Sequence, residues 1–303
     1  MQLVLVAVPI SIRDFFFVLF AAQNHAHLSS MVSINLYASG VLNCNLQFPS
    51  SWDDLLPEEV IEFARLQLLF ANDQPTAKAT MVYFIIEKRA DLQKIKLPDN
   101  WKEALDPDQL ATDGFDLLDF LYTSNQLHNQ PLPVIELPLC TPSKMVGPKS
   151  GFSNITCGEF EDAEYYFYEF VESPSNVPLA MMASVLWRPA GIIYCKDDAE
   201  KNYDHFVNLL PEILYSIYLW YSGCRSLLPK MFPTVYENDG KKNDFDMMAF
   251  TKCIHAAAGP KNGTRDNIRK MPLLELMFDM EQEAIHAKEI QEQYEQHQRT
   301  TVH

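Results

Sequence analysis

The chain is short of basic charge and of glycine: 24 Lys and Arg stand against 40 Asp and Glu in 303 residues, and only 10 residues are Gly. The resulting formal net charge of -16 repels phosphate backbones, whose binding rests on clustered Lys and Arg, so nucleic acid is not an expected partner. Scarce glycine leaves no Gly-rich loop ending in Lys-Ser or Lys-Thr and no Gly-x-Gly-x-x-Gly, which removes the common nucleotide cradles. A Gly-x-Ser-x-Gly elbow is missing as well.

Paired cysteines are also absent. Cys44, Cys140, Cys157, Cys195, Cys224 and Cys253 are scattered and form no CxxC, which fits best with reduced thiols packed as small apolar groups in a cytoplasmic protein. The triplets Asn154-Ile-Thr156 and Asn262-Gly-Thr264 gain no meaning as glycosylation acceptors in that setting. Long apolar runs are missing too: Arg13 and Asp14 split Met1 to Ala22 into pieces too short for about 30 Å of hydrocarbon, so no membrane partner is expected. A signal peptide requires a basic stretch before its apolar run, and Met1-Gln-Leu-Val supplies none, although Phe15 to Ala22 has the character of an h-region. Met31 reads as a start, with residues 1–30 an upstream extension or disordered tail.

What the chain does have is core-forming material, 48% hydrophobic and 12% aromatic, enough to close a large core. The fold expected is mainly α, a bundle-like helical C-terminal half with a small N-terminal β-hairpin. Val32 to Gln47 alternates apolar and polar residues around Ser39-Gly40, as a half-buried hairpin does. Pro57, followed by Glu58 and Glu59, opens a helix to about Phe70, and the spacing from Thr76 to Ala90 predicts another. Asp116 to Tyr122 suggests a short third.

Pro131, Pro133, Pro138, Pro142 and Pro148 crowd residues 126–151, which reads as an extended connector between a first part, 31–125, and a helical domain, 152–303. In that domain Phe160, Ala163, Phe167 and Phe170 recur at helical spacing, while Glu161, Asp162, Glu164, Glu169 and Glu172 form what reads as a solvated acidic face. Leu179 to Trp187 forms the second limb of a hairpin, stopped by Pro189 and Gly191, and Pro211 to about Leu227 a further helix with Pro229 beyond its end. Asp246 to Ala258 follows. After the turn Gly259 to Gly263, Thr264 reads as an N-cap and Pro272 as a restart of a long C-terminal helix. Its Leu273, Met277, Met280, Ala284, Ala287 and Tyr294 keep a four-three rhythm with Gln291 in the seam, compatible with packing on the domain, with a homo-oligomer or with a partner helix.

Motifs for chemistry are few. Glu283-Ala-Ile-His286 has the Glu-x-x-His spacing of carboxylate-bridged metal bundles; a metal-dependent helical enzyme on Glu283 and His286 would need further carboxylates, for which Glu161 and Glu164 are available. No second Glu-x-x-His occurs, and a solvated helix face is the expectation. Cys253 and His255 lie two apart on a helix and point in different directions, which defeats zinc. Gly259 to Arg265 reads as a capped turn rather than an anion site, and Asp239-Gly240 lacks the ligand spacing for calcium. Neither a metal nor a cofactor is expected, and no catalytic residue is assigned.

Three blocks carry a resemblance: Phe48-Pro-Ser-Ser-Trp-Asp-Asp-Leu55; Phe152 to Phe160 with Val185-Leu-Trp-Arg-Pro189; and Leu219-Trp-Tyr-Ser-Gly-Cys-Arg225 with Asp246-Met-Met-Ala-Phe250. In them the chain resembles tail-module proteins of Bacteroidetes tailed phages and prophages, encoded near the tape-measure gene, over about Met31 to Ile285. The resemblance implies a non-enzymatic role in tail assembly, chaperone-like, or as a minor tail component. It would be exercised through contacts with tail proteins such as the tape measure or tail tube, in the bacterial host cytoplasm or in the virion. Tyr165, Tyr168, Met280 and Tyr294 are the candidate contact residues.

Overall fold

The computed structural model describes residues 31–38, 42–104, 117–137, 142–237, 248–259 and 262–301. It is mainly α-helical with a small N-terminal hairpin. Strands β1 (Val32–Ala38) and β2 (Leu42–Phe48) pair antiparallel, Val32 opposite Phe48 and Ala38 opposite Leu42. The expected turn at Ser39-Gly40 lies outside the described residues, as do the segment 1–30 and the loop at Asp239-Gly240.

Prolines open three of the long helices, where their missing N–H would have been unpaired anyway. Pro57 begins α1 (Pro57–Leu69), Pro75 lies in the first turn of α2 (Gln74–Leu92) and Pro211 begins the longest core helix, Pro211–Met231. Short helices α3 (Trp101–Ala104) and α4 (Phe120–Thr123) lead to a second two-stranded sheet, β3 (Val134–Glu136) with β4 (Lys144–Val146). Then come α5 (Cys157–Glu172), α6 (Asn176–Leu186), α7 (Lys196–Phe206) and α8 (Pro211–Met231). Helices α9 (Ala249–Ala257), α10 (Arg265–Lys270) and α11 (Leu273–Thr301) complete the chain. Helix α8 runs on through Pro229, which was expected beyond its end; the proline sits in the last turn, where little ladder remains to disrupt.

Helices α5 and α8 run antiparallel with a layer of rings between them: Phe152 meets Trp220 at 5.4 Å, Phe160 stacks on Tyr221 at 6.1 Å, Phe167 on Tyr218 at 5.4 Å, and Phe170 meets Tyr215 at 6.2 Å. Such offset and edge-on pairs add to the area that the rings bury.

The proline-rich stretch expected as a connector puts Leu127, Leu132, Ile135, Leu137 and Met145 into a core shared with α1, α2, α5, α6 and α8. Extended backbone without ladder partners leaves carbonyls to satisfy, and indoles meet that need. Trp52 Nε1 donates to the carbonyls of Phe120 (3.0 Å) and Ser124 (2.8 Å), Trp220 Nε1 to that of His128 (3.3 Å) and Trp187 Nε1 to that of Leu132 (2.9 Å). Helix α8 approaches so closely that a Cβ at Gly223 would stand 2.4 Å from the Leu127 carbonyl oxygen.

Candidate functional site

Helix α5 holds most of the ionisable chemistry. Its start is fixed by reciprocal bonds: Thr156 Oγ1 accepts from the Glu159 N–H at 3.3 Å, and Glu159 Oε2 accepts from the Thr156 N–H at 2.7 Å. Thr156-x-x-Glu159 is a spacing legible in the sequence that the reading above passed over. Cys157 N–H donates to the Met271 carbonyl at 2.9 Å and Leu273 N–H to that of Ile155 at 2.9 Å, so the joint between α10 and α11 is stitched to the same point.

The acidic face of α5 is not solvated, contrary to expectation. Glu159, Glu161, Asp162 and Glu164 are all buried, each against a guanidinium from elsewhere in the chain. Glu159 pairs with Arg188. Glu161 pairs with Arg269 and accepts from Arg265 Nη2 at 2.9 Å and Thr251 Oγ1 at 2.7 Å. Asp162 Oδ2 accepts from Arg269 Nη2 and from the Tyr194 hydroxyl, both at 2.6 Å, with Lys196 Nζ 3.5 Å away. Glu164 accepts from Arg225 Nε at 2.9 Å and the Tyr221 hydroxyl at 3.0 Å. Each buried carboxylate thus has a cation against it whose own side chain reaches the surface, which offsets the cost of taking the carboxylate out of water. Only Glu169 and Glu172, near the C-terminal end of α5, keep the exposure expected of them, the first in part and the second in full.

Burial pushes the Glu164 carboxyl up despite Arg225, and pushes the Tyr221 phenol well above its ordinary value, with Glu164 adding to the rise. Burial likewise lifts Tyr194, and Asp162 adds to it. These phenols stay protonated donors near neutrality, and through them and the arginines the cluster braces the segments around α5. The glutamates that a metal site might have borrowed, Glu161 and Glu164, are therefore committed to arginines. Glu283 and His286 stand exposed on α11, with His286 Nδ1 3.8 Å from Glu289 Oε2. Among the described residues no group of three or more His, Cys, Asp or Glu is placed to hold a metal ion.

A second constellation was not legible in the sequence. Asp53 accepts from the backbone N–H groups of His128 and Asn129, both at 2.8 Å, and its Oδ2 lies 3.2 Å from His128 Nδ1. Cys224 Sγ is nearby, 3.5 Å from the His128 carbonyl oxygen. The thiol faces the backbone carbonyls of Leu127 and His128 and not the imidazole, and burial pushes it up to about 12, as it does Cys157. A thiol in that range is no nucleophile at neutral pH. The trio ties the Trp52–Asp54 turn, the 125–130 stretch and α8 into one knot.

The candidate contact residues divide between inside and outside. Tyr168 is half-buried, its hydroxyl on the Arg225 guanidinium, which lies 5.0 Å from its ring. Met280 is half-buried between the two apolar clusters. Tyr165 is exposed, edge-on to Tyr166 at 5.2 Å. Tyr294 is 66% exposed, far along α11.

Helix α11 itself changes character partway. Leu273, Leu276 and Met277 are buried, and Glu281 accepts from the Thr234 N–H at 3.0 Å and the Val235 N–H at 2.9 Å. From Gln282 to His297 every residue is exposed except Ala284, which is half-buried. That stretch spans roughly 24 Å at the α-helical rise. No helix among the described residues is long and apolar enough to cross a membrane. No family model matches the chain, and neither curated proteins nor solved structures match it.

Proposed function

We propose that the protein works by binding other proteins in the assembly of a phage or prophage tail, or as a minor tail component, and not by catalysis. Its place is the cytoplasm of the bacterial host or the virion, and its partners are tail proteins such as the tape measure or tail tube. The observation that carries this reading is the arm of α11 beyond Glu281. A helix that keeps an apolar rhythm after leaving its own core presents surface to something else. Tyr294 and Ile290, 66% and 54% exposed, are the side chains most available for that contact.

The three sequence blocks of the resemblance support the reading in a particular way. Phe152, Trp187, Trp220 and Tyr221 come from two of them and pack together, and Asp53 of the first block holds His128, whose carbonyl takes the Trp220 indole. What the blocks have in common is thus core construction, which fits a scaffold whose work is done at its surface. The test is co-expression with the tape-measure and tail-tube proteins of the same genome, followed by affinity capture. Capture of either is expected, and recovery of the protein alone would refute the reading. Truncation after Gln282 is the informative variant, because it removes the arm and leaves Glu281 on its two N–H donors.

A further inference from the structure

We infer that the α11 arm receives a basic amphipathic helix of a partner protein, lying along the face formed by Ala284, Ala287, Gln291 and Tyr294, with Ile290 at its edge. The inference rests on the reading of α11 as a contact surface and adds the chemistry of the occupant. Positions 273, 276, 277 and 280 define the side of α11 that enters the core. At about 100° per residue, 284, 287, 291 and 294 continue that side outward, with Ile290 at its edge. Inside the body this face is covered by the protein's own core; past Glu281 its members are exposed, apart from half-buried Ala284. Alanines at 284 and 287 leave room for a helix to approach closely, and Ile290 and Tyr294 supply the larger apolar contacts beyond them.

Charge selects among occupants. Between Gln282 and His297 four glutamates, Glu283, Glu289, Glu292 and Glu295, stand against a single Lys or Arg, Lys288, which is itself paired with Glu237. The whole chain carries -16, so a second copy brings like charge to like charge, whereas a Lys- and Arg-rich helix is attracted to it.

The test uses the full-length protein and a fluorescein-labelled synthetic amphipathic helix of Leu and Lys, read by anisotropy. Binding is expected to weaken by more than about tenfold in Ile290→Glu/Tyr294→Glu and after truncation at Gln282, with the thermal midpoint unchanged. Reversing Glu289 and Glu292 to Lys should weaken it similarly, whereas reversing Asp197 and Glu200 on α7 should not. Equal loss from the α7 reversals would show attraction to bulk charge and overturn the proposal. So would undiminished binding by the truncated protein, or a stable dimer abolished by Ala287→Glu. If the tail-protein capture still depends on the arm while the Leu/Lys helix fails to bind, the occupant is wrong and the contact surface stands. If capture is independent of the arm, both fall.

Discussion

Glu281 accepts the backbone N–H of Thr234 at 3.0 Å, and this bond marks where α11 stops belonging to the body of the protein. The same carboxylate takes the Val235 N–H at 2.9 Å, and seven residues on, Lys288 pairs with Glu237. One carboxylate thus roots the arm on the segment after α8. Replacing Glu281 with Leu should leave the two amides without acceptors. Hydrogen exchange at Thr234 and Val235 is expected to accelerate at least severalfold, while exchange in α5 stays as it was. Unchanged protection at those amides would show that the root lies elsewhere.

The Arg89–Glu59 pair gives a sharper energetic test. Arg89 Nε and Nη2 bond to Glu59 at 2.8 and 2.6 Å with both side chains buried. Burial pushes the Glu59 carboxyl up in spite of the arginine. Arg89→Met leaves that carboxylate buried and unpaired, an expected loss of about 3–5 kcal/mol in urea denaturation. The double variant Glu59→Leu/Arg89→Met should lose less than the single one, since no orphaned charge remains. A double variant weaker than Arg89→Met would contradict this account.

Gly223 is predicted to be irreplaceable. A Cβ there meets the Leu127 carbonyl oxygen at 2.4 Å and its N at 2.7 Å, backbone atoms that the Trp220 and Asp53 contacts hold in place. Gly223→Ala should cost at least about 1–3 kcal/mol, the usual range for overpacking. Gly259→Ala is the control for lost chain freedom: nothing lies within 4 Å of its Cβ, and its φ is outside the left-handed region. An unchanged unfolding midpoint for Gly223→Ala would refute the close approach of α8.

The pH dependence has two opposing parts. Burial pulls Asp53 upward, but the bonds from His128 and Asn129 outweigh it, and the carboxyl lies below its ordinary 3.8. Its contribution is therefore present above pH 3.8 and lost as pH falls through the lower folded value. Glu59 and Glu164 are raised above 4.5 by burial, so their folded forms take up protons first, and acidification toward 4.5 relieves a cost. Asp53→Asn should flatten the loss of stability below pH 3.8 and leave the limb above 4.5 as it was. Stability profiles by denaturant titration at each pH read both limbs; an unaltered acid limb in Asp53→Asn would remove Asp53 from the account.

The parts of this structure legible in the sequence are those set by local spacing. Phe160, Ala163 and Phe167 announced the buried stripe of α5, Pro57 and Pro211 the starts of α1 and α8, and Thr264 the cap of α10, where its Oγ1 accepts the Asn267 N–H at 3.4 Å. Glu161, Asp162 and Glu164 were misread because the groups that bury them are remote: Arg225 lies 61 residues from Glu164, Arg265 lies 104 from Glu161 and Arg269 lies 107 from Asp162. A helical wheel shows which side a carboxylate is on, and not whether an arginine arrives there from another helix. The packing of the proline-rich stretch was not legible for a related reason. Its prolines do keep it extended, but the indoles of Trp187 and Trp220, bonded to the Leu132 and His128 carbonyls, draw it into the core.

The central claim is that residues beyond Glu281 meet a tail protein. Hydrogen exchange measured on the protein alone and in complex with its captured tail partner tests it directly. The account predicts slower exchange from Ala284 to Tyr294 on binding, with the β1–β2 hairpin unchanged. Protection that appears elsewhere while residues 284–294 exchange at their free rate would contradict it.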